Sequence, residues 1–327
     1  MTAMKGKYRI VVQNKKIKYD FEIKRNITVI RGDSATGKTT LIDMIREYYE
    51  NGEDSGIELN CQKECVVLEG RNWRPQLNLM KDSIIFIDEG NNFVSSKEFA
   101  ESIQNTDNYY VIVTRESLPS LPYSVSEIYG IRNSGKYGHL KQTYNEFYHI
   151  YHLDSETKKI VPDIVVTEDS HSGYQFFSNI CSKNGIACKS AGGKSNIFGI
   201  LGDIKDGKVL IIADGAAFGP EMEKVMRQIS LMKNTFLYLP ESFEWLILRS
   251  GLLKDNDIIK VLDEPYDYIE SKEYFSWERY FTHLLVMKTE NNYLKYSKNK
   301  LNDVYLQENI QKKILQVMDK IDFENEE

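Results

Sequence analysis

The residues of this 327-residue chain with the clearest chemical capacity stand at positions 32–39, which read Gly-Asp-Ser-Ala-Thr-Gly-Lys-Thr. The spacing is G-x-x-x-x-G-K-[ST], in which glycines let the backbone curl and point successive N–H groups at one anion. A helix that begins at the end of the pattern adds its partial positive charge. The pattern predicts a loop that binds nucleotide phosphates, with the members Gly32, Asp33, Ser34, Ala35, Thr36, Gly37, Lys38, Thr39 and Thr40.

Two side chains of this loop have expected roles of their own. Lys38 should reach the terminal phosphates during catalysis, and the Thr39 hydroxyl should bind Mg²⁺. The loop stands between a β-branched run, Ile27 to Arg31, and a helical pattern, Thr39 to Glu50, and the motif requires this strand-to-helix context. We therefore expect ATP and Mg²⁺ as cofactors. The alternative is an ordinary glycine turn.

Two acids follow a second apolar run. Residues 84–90 read Ile-Ile-Phe-Ile-Asp-Glu-Gly, which predicts a buried strand that delivers two carboxylates to the phosphate end of the site. Asp88 is the expected Mg²⁺ ligand, and Glu89 is the expected general base that activates water. The alternative is a buried strand that merely ends in a solvated acidic turn.

The next apolar run, Tyr109 to Thr114, places Thr114 at a predicted strand tip, where we expect it to contact the γ-phosphate or the attacking water. Arg115 is either a catalytic cation supplied by the same chain or a surface charge. With a further predicted strand, Glu64 to Leu68, these motifs resemble the additional-strand, catalytic-glutamate class of P-loop NTPases, which includes the AAA+ and ABC-type ATPases. The resemblance implies an ATP-hydrolysing P-loop domain with a parallel sheet.

A predicted antiparallel hairpin, Tyr8 to Gln13 and Lys16 to Ile23, precedes the loop, and this order is similar to ABC and SMC-type ATPases. No Leu-Ser-Gly-Gly signature occurs in the sequence, so dimerisation of the ABC type is unsupported. No guanine-reading Thr/Asn-Lys-x-Asp motif occurs either, and ATP is favoured over GTP on that ground. Because Glu89 is placed to activate water, hydrolysis is favoured over a small-molecule kinase.

The second half of the chain repeats the theme of apolar runs that end in acids. The runs at 164–169, 209–215 and 237–244 end in Glu168, Asp214 and Glu244, respectively, or in acids beside them. Carboxylates at the carboxyl ends of neighbouring parallel strands meet at one edge of a sheet, where ligands of open α/β sheets bind. Such a group can hold Mg²⁺ for phosphodiester chemistry. The alternative is a set of acids that cap helices or face water.

Residues 160–255 resemble the topoisomerase–primase (TOPRIM) domain, in which a strand-end Glu and a later Asp-x-Asp bind the metal. The resemblance implies that Glu168 is the general acid/base and a metal ligand, and that Asp214 is a metal ligand. Glu241 or Glu244 matches the acidic helix start of overcoming-lysogenization-defect-type (OLD-type) nucleases. One position departs from the pattern, because Ala216 stands where the second Asp is expected.

The composition fits an α/β protein and limits its function classes. A net charge of −6 argues against a surface built for nucleic acid. Cations near the N-terminus form either a local basic groove or a solvated strand face; they are Lys5, Lys7, Arg9, Lys15, Lys16, Lys18, Lys24 and Arg25. The four cysteines lack zinc-site spacing and are expected to be reduced thiols. No apolar run reaches the roughly 20 residues that span a bilayer, so we expect a cytoplasmic protein without membrane contact.

The predicted organisation is a P-loop ATPase domain at 1–152, a linker at 153–162, a TOPRIM-like α/β domain at 163–265 and a C-terminal helical region at 266–327. An ATPase joined to a TOPRIM-like domain resembles OLD-nuclease-type bacterial defence and mobile-element proteins. The resemblance implies that ATP controls a Mg²⁺-dependent nuclease or effector acting on phage or plasmid nucleic acid. The alternative, favoured by Ala216, is a nucleotide-dependent switch or scaffold that acts through a partner protein. A homo-oligomer or a partner protein is expected in both cases.

Overall fold

The computed structural model describes residues 4–32, 36–137, 142–151, 159–232 and 234–324, with backbone alone at 136 and 137. The chain is α/β and divides into two compact units. The first comprises 1–151 and 264–276, and the second comprises 152–263 and 277–327. The segment predicted to be a helical region of its own, 266–327, is therefore distributed over both units. Residues 153–158 of the predicted linker lie outside the described residues.

The first unit begins with the predicted hairpin. Strands β1 (Tyr8–Gln13) and β2 (Ile17–Ile23) pair antiparallel, with Tyr8 opposite Ile23. Apolar side chains at alternate positions face the core, as the two-residue period of a strand requires. The reversal is fixed by Asn14, whose Oδ1 accepts hydrogen bonds from the backbone N–H groups of Lys16 and Ile17.

The rest of the first unit alternates strands with helices. Its elements are β3 (Ile27–Ile30), α1 (Lys38–Asn51), β4 (Glu58–Asn60), β5 (Glu64–Val67), α2 (Trp73–Leu79), β6 (Ser83–Ile87), α3 (Lys97–Ile103), β7 (Tyr109–Val113), β8 (Ile128–Tyr137) and β9 (Thr143–His149). Every residue of β3, β6 and β7 is buried. This burial explains their continuous apolar sequence, because central parallel strands are covered on both faces.

These strands form one nine-stranded sheet in the order β4-β1-β2-β9-β8-β3-β7-β6-β5. The five strands from β8 to β5 pair parallel, whereas β1 with β2, β1 with β4, and β8 with β9 pair antiparallel. The sheet is therefore mixed, and the expected parallel sheet is only part of it. Strand β7 lies between β3 and β6.

The sequence Asn133-Ser134-Gly135 predicts a turn between two strands, but this prediction is wrong, because β8 continues through these residues to Tyr137. Gly135 takes a positive φ of 71°, and its N–H donates to Oδ1 of Asn133 at 2.8 Å. The register with β9 shifts between Asn133 and Tyr137. The Asn-Ser-Gly signal thus marks a β-bulge rather than a chain reversal.

The second unit contains a smaller sheet and most of the helices. Its elements are β10 (Ile164–Thr167), α4 (Ser172–Lys183), β11 (Ala187–Ser190), α5 (Ile197–Asp203), β12 (Val209–Ile212), α6 (Met222–Leu231), β13 (Thr235–Tyr238), α7 (Phe243–Arg249), α8 (Asn256–Asp263), α9 (Trp277–Thr289) and α10 (Glu308–Leu315). All four strands pair parallel in the order β11-β10-β12-β13. The chain moves from β10 to one side and returns to the other, so the order reverses beside β10.

Gly215, the residue after Asp214, lies close to the backbone of Leu239 and Pro240. A Cβ at Gly215 would lie 2.7 Å from the backbone oxygen of Leu239, and backbone cannot move aside as a flexible side chain can. We predict that Gly215→Ala lowers the free energy of unfolding of the second unit by about 2 kcal/mol. Urea unfolding followed by circular dichroism measures the change.

Gly199→Ala is the matched control, because Gly199 lies in helix α5 and a Cβ there would meet nothing within 4 Å. Alanine favours a helix interior over glycine by about 1 kcal/mol, so this variant should be neutral or slightly more stable. Equal unfolding midpoints for the two variants would contradict the close approach at Gly215.

Candidate functional site

The loop predicted to bind phosphates connects β3 to α1 in the first unit. Its two motif glycines have positive φ, 130° at Gly32 and 91° at Gly37, a conformation that L side chains rarely adopt. Gly37 is also held closely from outside: the Tyr19 hydroxyl donates to its carbonyl oxygen at 2.7 Å, and a Cβ would lie 2.8 Å from that hydroxyl. The predicted members Asp33, Ser34 and Ala35 lie outside the described residues.

Lys38 is the first residue of α1, and its side chain returns into the loop. The residue is only 5% exposed. Its Nζ donates to the Gly32 carbonyl oxygen at 2.8 Å and to Oγ1 of Thr36 at 3.0 Å. A buried ammonium group requires such oxygen partners, because an unpaired charge away from water is strongly unfavourable. The loop therefore holds a positive charge at the amino end of α1.

The other two threonines of the loop differ in exposure. Thr39 is exposed on the first turn of α1, and Thr40 is half-buried. The Thr39 hydroxyl is thus accessible to a ligand at the amino end of the helix, as a magnesium ligand must be.

Asp88 follows β6, which lies two places from the loop strand β3 in the sheet. Burial raises its pKa, repulsion from Asp43 adds to the rise, and the Glu89 N–H and Arg46 oppose it. Asp43 and Arg46 belong to α1, so the Asp88 carboxylate is within electrostatic range of this helix. Oδ1 of Asp88 accepts the N–H of Glu89 at 2.8 Å.

Glu89 and Arg115 form an ion pair at the carboxyl ends of β6 and β7. Arg115 Nε lies 2.6 Å from Glu89 Oε1, and both side chains are well exposed. Glu89 follows β6 and Arg115 follows β7, so the pair joins the ends of neighbouring strands. Arg115 is thus an exposed cation that pairs with the predicted general base.

Thr114 is buried at the end of β7, next to the loop strand. Its N–H donates to the Ile30 carbonyl oxygen at 3.1 Å, and its Oγ1 accepts the N–H of Glu116 at 3.0 Å. The hydroxyl predicted to contact phosphate or water therefore stabilises the turn that follows the strand. The sequence reasoning missed Arg31, which is buried and donates to the Glu116 carbonyl oxygen and the Tyr123 hydroxyl at 3.1 and 3.0 Å.

The strand order brings these residues to the same end of the sheet. Strands β3, β7 and β6 are consecutive and parallel, so the loop, Thr114 and Asp88 all follow the carboxyl ends of these strands. Among the parallel strands, the chain goes from β3 to β5 on one side of β3, whereas from β7 it crosses β3 to β8 on the other, so the strand order reverses between β3 and β7. Ligands of open α/β sheets bind at the carboxyl ends of strands at such a reversal.

In the second unit, the Glu168 carboxylate contacts the backbone of Asp214. They follow the neighbouring strands β10 and β12, and Oε2 of Glu168 accepts the N–H of Asp214 at 3.0 Å. Burial raises the pKa of Glu168 to about 7, Glu278 and Asp169 add to the rise, and the Asp214 N–H and Lys194 oppose it. Burial also raises the pKa of Asp214 well above its usual range, with repulsion from Glu278, Glu168 and Glu244.

Glu244 lies at the start of α7 and is 2% exposed. Its Oε1 accepts a hydrogen bond from the Tyr296 hydroxyl at 2.8 Å, and the same hydroxyl contacts Ser172 Oγ at 2.5 Å. The carboxylate predicted as a metal ligand is thus engaged by a buried tyrosine. Glu241 is half-buried, and its carbonyl oxygen accepts the Ala216 N–H.

The sequence reasoning missed two charged residues of this cluster, Glu278 on α9 and Lys298 beyond it. Lys298 Nζ donates to Glu278 Oε1. Burial disfavours the charged lysine, but Glu278, Glu244 and Asp214 outweigh it and raise the pKa of Lys298. Across the described ranges, no group of three or more His, Cys, Asp or Glu side chains has an arrangement that could hold a metal ion. His171, three residues after Glu168, is exposed.

The N-terminal cations of the first unit lie beside acids. Arg9 pairs with Asp20 at 2.7 Å, Lys7 with Glu22 at 3.9 Å and Lys5 with Glu270 at 3.6 Å. Arg25 is buried and lies 3.6 Å from the buried Glu127. These pairs offset much of the positive charge and favour a solvated strand face over a basic groove.

Comparison of the chain with models of protein families and with curated proteins found no match in either case. None of the helices in the described part of the chain is both long and apolar enough to cross a membrane.

The raised pKa of Glu168 predicts a pH-dependent stability. Its folded pKa of about 7 exceeds the ordinary value of 4.5, so between these values the folded state keeps a proton that the unfolded state loses. Stability should fall as pH rises from about 4.5 to 7. Glu168→Gln should remove about 1–2 kcal/mol of this fall, since partial exposure reduces the full effect.

The measurement is urea unfolding of the natural sequence and of Glu168→Gln at pH 5 and pH 8. Glu223→Gln is the control, because Glu223 is exposed on α6. The control should keep the pH dependence of the natural sequence. If Glu168→Gln keeps it as well, Glu168 does not titrate as its surroundings predict.

Proposed function

We propose that the first unit binds ATP through residues 32–40 and hydrolyses it. The observation that carries the proposal is the Lys38 ammonium group, buried at the amino end of α1 and bonded to loop oxygens at Gly32 and Thr36. In that position a phosphate oxygen can replace a neutral oxygen as its partner and form a stronger, charge-assisted hydrogen bond. The amino end of α1 favours the same anion.

The strand order supports the assignment to the additional-strand class, because β7 separates the loop strand β3 from the acid-bearing strand β6. Asp88 interacts electrostatically with Asp43 and Arg46 of α1, and Thr39 is exposed on the first turn of this helix. A magnesium ion bound with the nucleotide would supply positive charge to the phosphate oxygens, and Thr39 and Asp88 are the residues that would hold it. Two protein ligands suit magnesium, which keeps most of its waters.

Glu89 is the residue proposed to accept the proton of the attacking water. It stands one residue beyond Asp88 at the same edge, and Arg115 holds its carboxylate there. Both side chains are well exposed, so the pair can open at little cost, because exposed ion pairs contribute at most about 1 kcal/mol. Opening of the pair would free Glu89 to accept a proton and Arg115 to approach the nucleotide.

We predict that Lys38→Ala abolishes measurable ATP binding at concentrations that saturate the natural sequence and lowers turnover by about 10²–10³-fold. The reason is the loss of the Lys38 ammonium group, which is bonded to loop oxygens. Titration with a fluorescent ATP analogue and a phosphate-release assay provide the two readouts. Lys15→Ala is the matched control, since Lys15 is an exposed lysine of the β1–β2 turn.

A third variant separates binding from chemistry. Glu89→Gln should bind ATP normally and lose turnover by about 10²-fold, the contribution of a general base, while circular dichroism checks that each variant is folded. Undiminished ATP binding by a folded Lys38→Ala protein would refute the proposed site.

A second candidate function, Mg²⁺-dependent cleavage of phosphodiester bonds by the second unit, is favoured by the contact between Glu168 and Asp214. Two carboxylates at the carboxyl ends of neighbouring strands fit a partly hydrated magnesium ion. Ala216 and the engagement of Glu244 by Tyr296 favour the alternative, a nucleotide-dependent switch that acts through a protein partner.

These alternatives predict different results with DNA and RNA substrates. A nuclease should cleave one of them with Mg²⁺ or Mn²⁺ and lose at least about 10²-fold in rate on Asp214→Ala, because a metal ligand is removed. A switch should hydrolyse ATP but leave every substrate intact. Gel assays of the natural sequence and of Asp214→Ala, with and without ATP, decide between a nuclease and a switch.

A further inference from the structure

A buried cation lies immediately before the phosphate loop and contacts the segment that follows β7. Arg31 comes directly after β3 and is only 6% exposed. Its Nη2 lies 3.1 Å from the Glu116 carbonyl oxygen, 3.3 Å from Ser117 Oγ and 3.0 Å from the Tyr123 hydroxyl. A buried charge requires such oxygens in place of water, and the planar guanidinium group fixes the directions of its hydrogen bonds. Arg31 therefore ties the start of the loop to the segment after β7.

This segment begins with a turn whose backbone is held on both sides of Arg115. On one side, the Thr114 N–H donates to the Ile30 carbonyl oxygen at 3.1 Å. On the other side, the Glu116 N–H donates to Thr114 Oγ1 at 3.0 Å, and the Glu116 carbonyl oxygen accepts from Arg31. The backbone of Arg115 is thus placed by its two neighbours, and one of them is held by the Arg31 side chain.

The side chain of Arg115 extends from this turn to the end of β6. Its Nε lies 2.6 Å from Glu89 Oε1, and both side chains are well exposed. An exposed ion pair contributes little free energy of its own, because ordering two long side chains offsets the attraction. The position of this pair therefore depends on where the turn holds the Arg115 backbone. Arg31 reaches the predicted general base through one intervening side chain.

We propose that Arg31 is a positioning residue for ATP hydrolysis, which fixes the turn after β7 so that Arg115 holds the Glu89 carboxylate at the end of β6. In this role Arg31 touches neither the nucleotide nor the attacking water and acts through Arg115. The inference rests on the proposed hydrolysis of ATP by the first unit and adds to it a residue outside the phosphate-binding motif. Loss of the Arg31 contacts should lower turnover and leave ATP binding intact.

The first variant is Arg31→Lys, which keeps the positive charge and loses the planar group. Its affinity for a fluorescent ATP analogue should stay within about twofold of that of the natural sequence, because the loop itself is unchanged. Its turnover should fall by about tenfold, since a small displacement of a reacting group is costly in rate. Combined with Arg115→Ala, the same substitution should cause no further loss, because the residue through which Arg31 acts is then absent.

A second, milder variant keeps the test decisive if Arg31→Lys does not fold. Tyr123→Phe removes one oxygen partner of Arg31 and should lower turnover by about threefold without a change in ATP binding. Tyr109→Phe is the matched control, because Tyr109 is also buried and its hydroxyl donates to the Gly6 carbonyl oxygen at 3.1 Å. Tyr109 begins β7, at the opposite end of the strand from Arg115. The control should lose a similar amount of stability in urea unfolding and keep its turnover.

The side chain of Arg115 provides a readout that does not require turnover. Its Nε–H signal in a ¹⁵N NMR spectrum is identified by its disappearance in Arg115→Ala. This signal should shift in Arg31→Lys and in Tyr123→Phe, and it should stay in place in the control.

The outcomes separate this inference from the proposed function. No ATP turnover by the natural sequence would overturn the proposed function and, with it, a role of Arg31 in hydrolysis. With turnover present, three results would overturn the inference alone: normal turnover in folded Arg31→Lys and Tyr123→Phe, an undiminished effect of Arg31→Lys in the absence of Arg115, or an unshifted Arg115 signal.

Discussion

The Lys38 ammonium group is buried, so the surrounding protein must supply oxygen atoms in place of the water that this charge would otherwise contact. Gly32 and Thr36 provide two of them. The loop can reach this arrangement because Gly32 and Gly37 take positive φ, and the Tyr19 hydroxyl fastens Gly37 from the neighbouring hairpin. The hairpin, the loop and α1 therefore form one support for a single positive charge, and that charge is what makes an anion the natural ligand.

The two units use strand ends in the same way. Each places carboxylates at the carboxyl ends of buried parallel strands, beside a point where the strand order reverses. Burial raises the pKa of Asp88 in the first unit and of Glu168 in the second. In both sites, therefore, the charged form of the acid is less stable than it would be in water. They differ in their cations: Lys38 lies within a backbone loop, whereas Lys298 is bonded to an acid of its own cluster.

Much of the fold could be predicted because the central strands have almost entirely apolar sequences. Strands β3, β6 and β7 are buried throughout, and the Asn14 turn has strong local chemistry. Asn133-Ser134-Gly135 misled the prediction, since the same residues serve a bulge as well as a turn. The contact of Glu168 with Asp214 followed from strand order, but Glu278 and Lys298 come from distant segments that no local pattern connects to the site. The ion pair of Glu89 with Arg115 was hidden for the same reason.

Direct observation of the loop amides tests the central claim. In a transverse-relaxation-optimised NMR spectrum of the deuterated, ¹⁵N-labelled protein, addition of ATP with Mg²⁺ should shift the amide signals of Gly37, Lys38 and Thr39, because their N–H groups would then donate to phosphate oxygens. Signals of the second-unit strands should stay in place. Unchanged signals for these three amides at millimolar ATP would contradict the account.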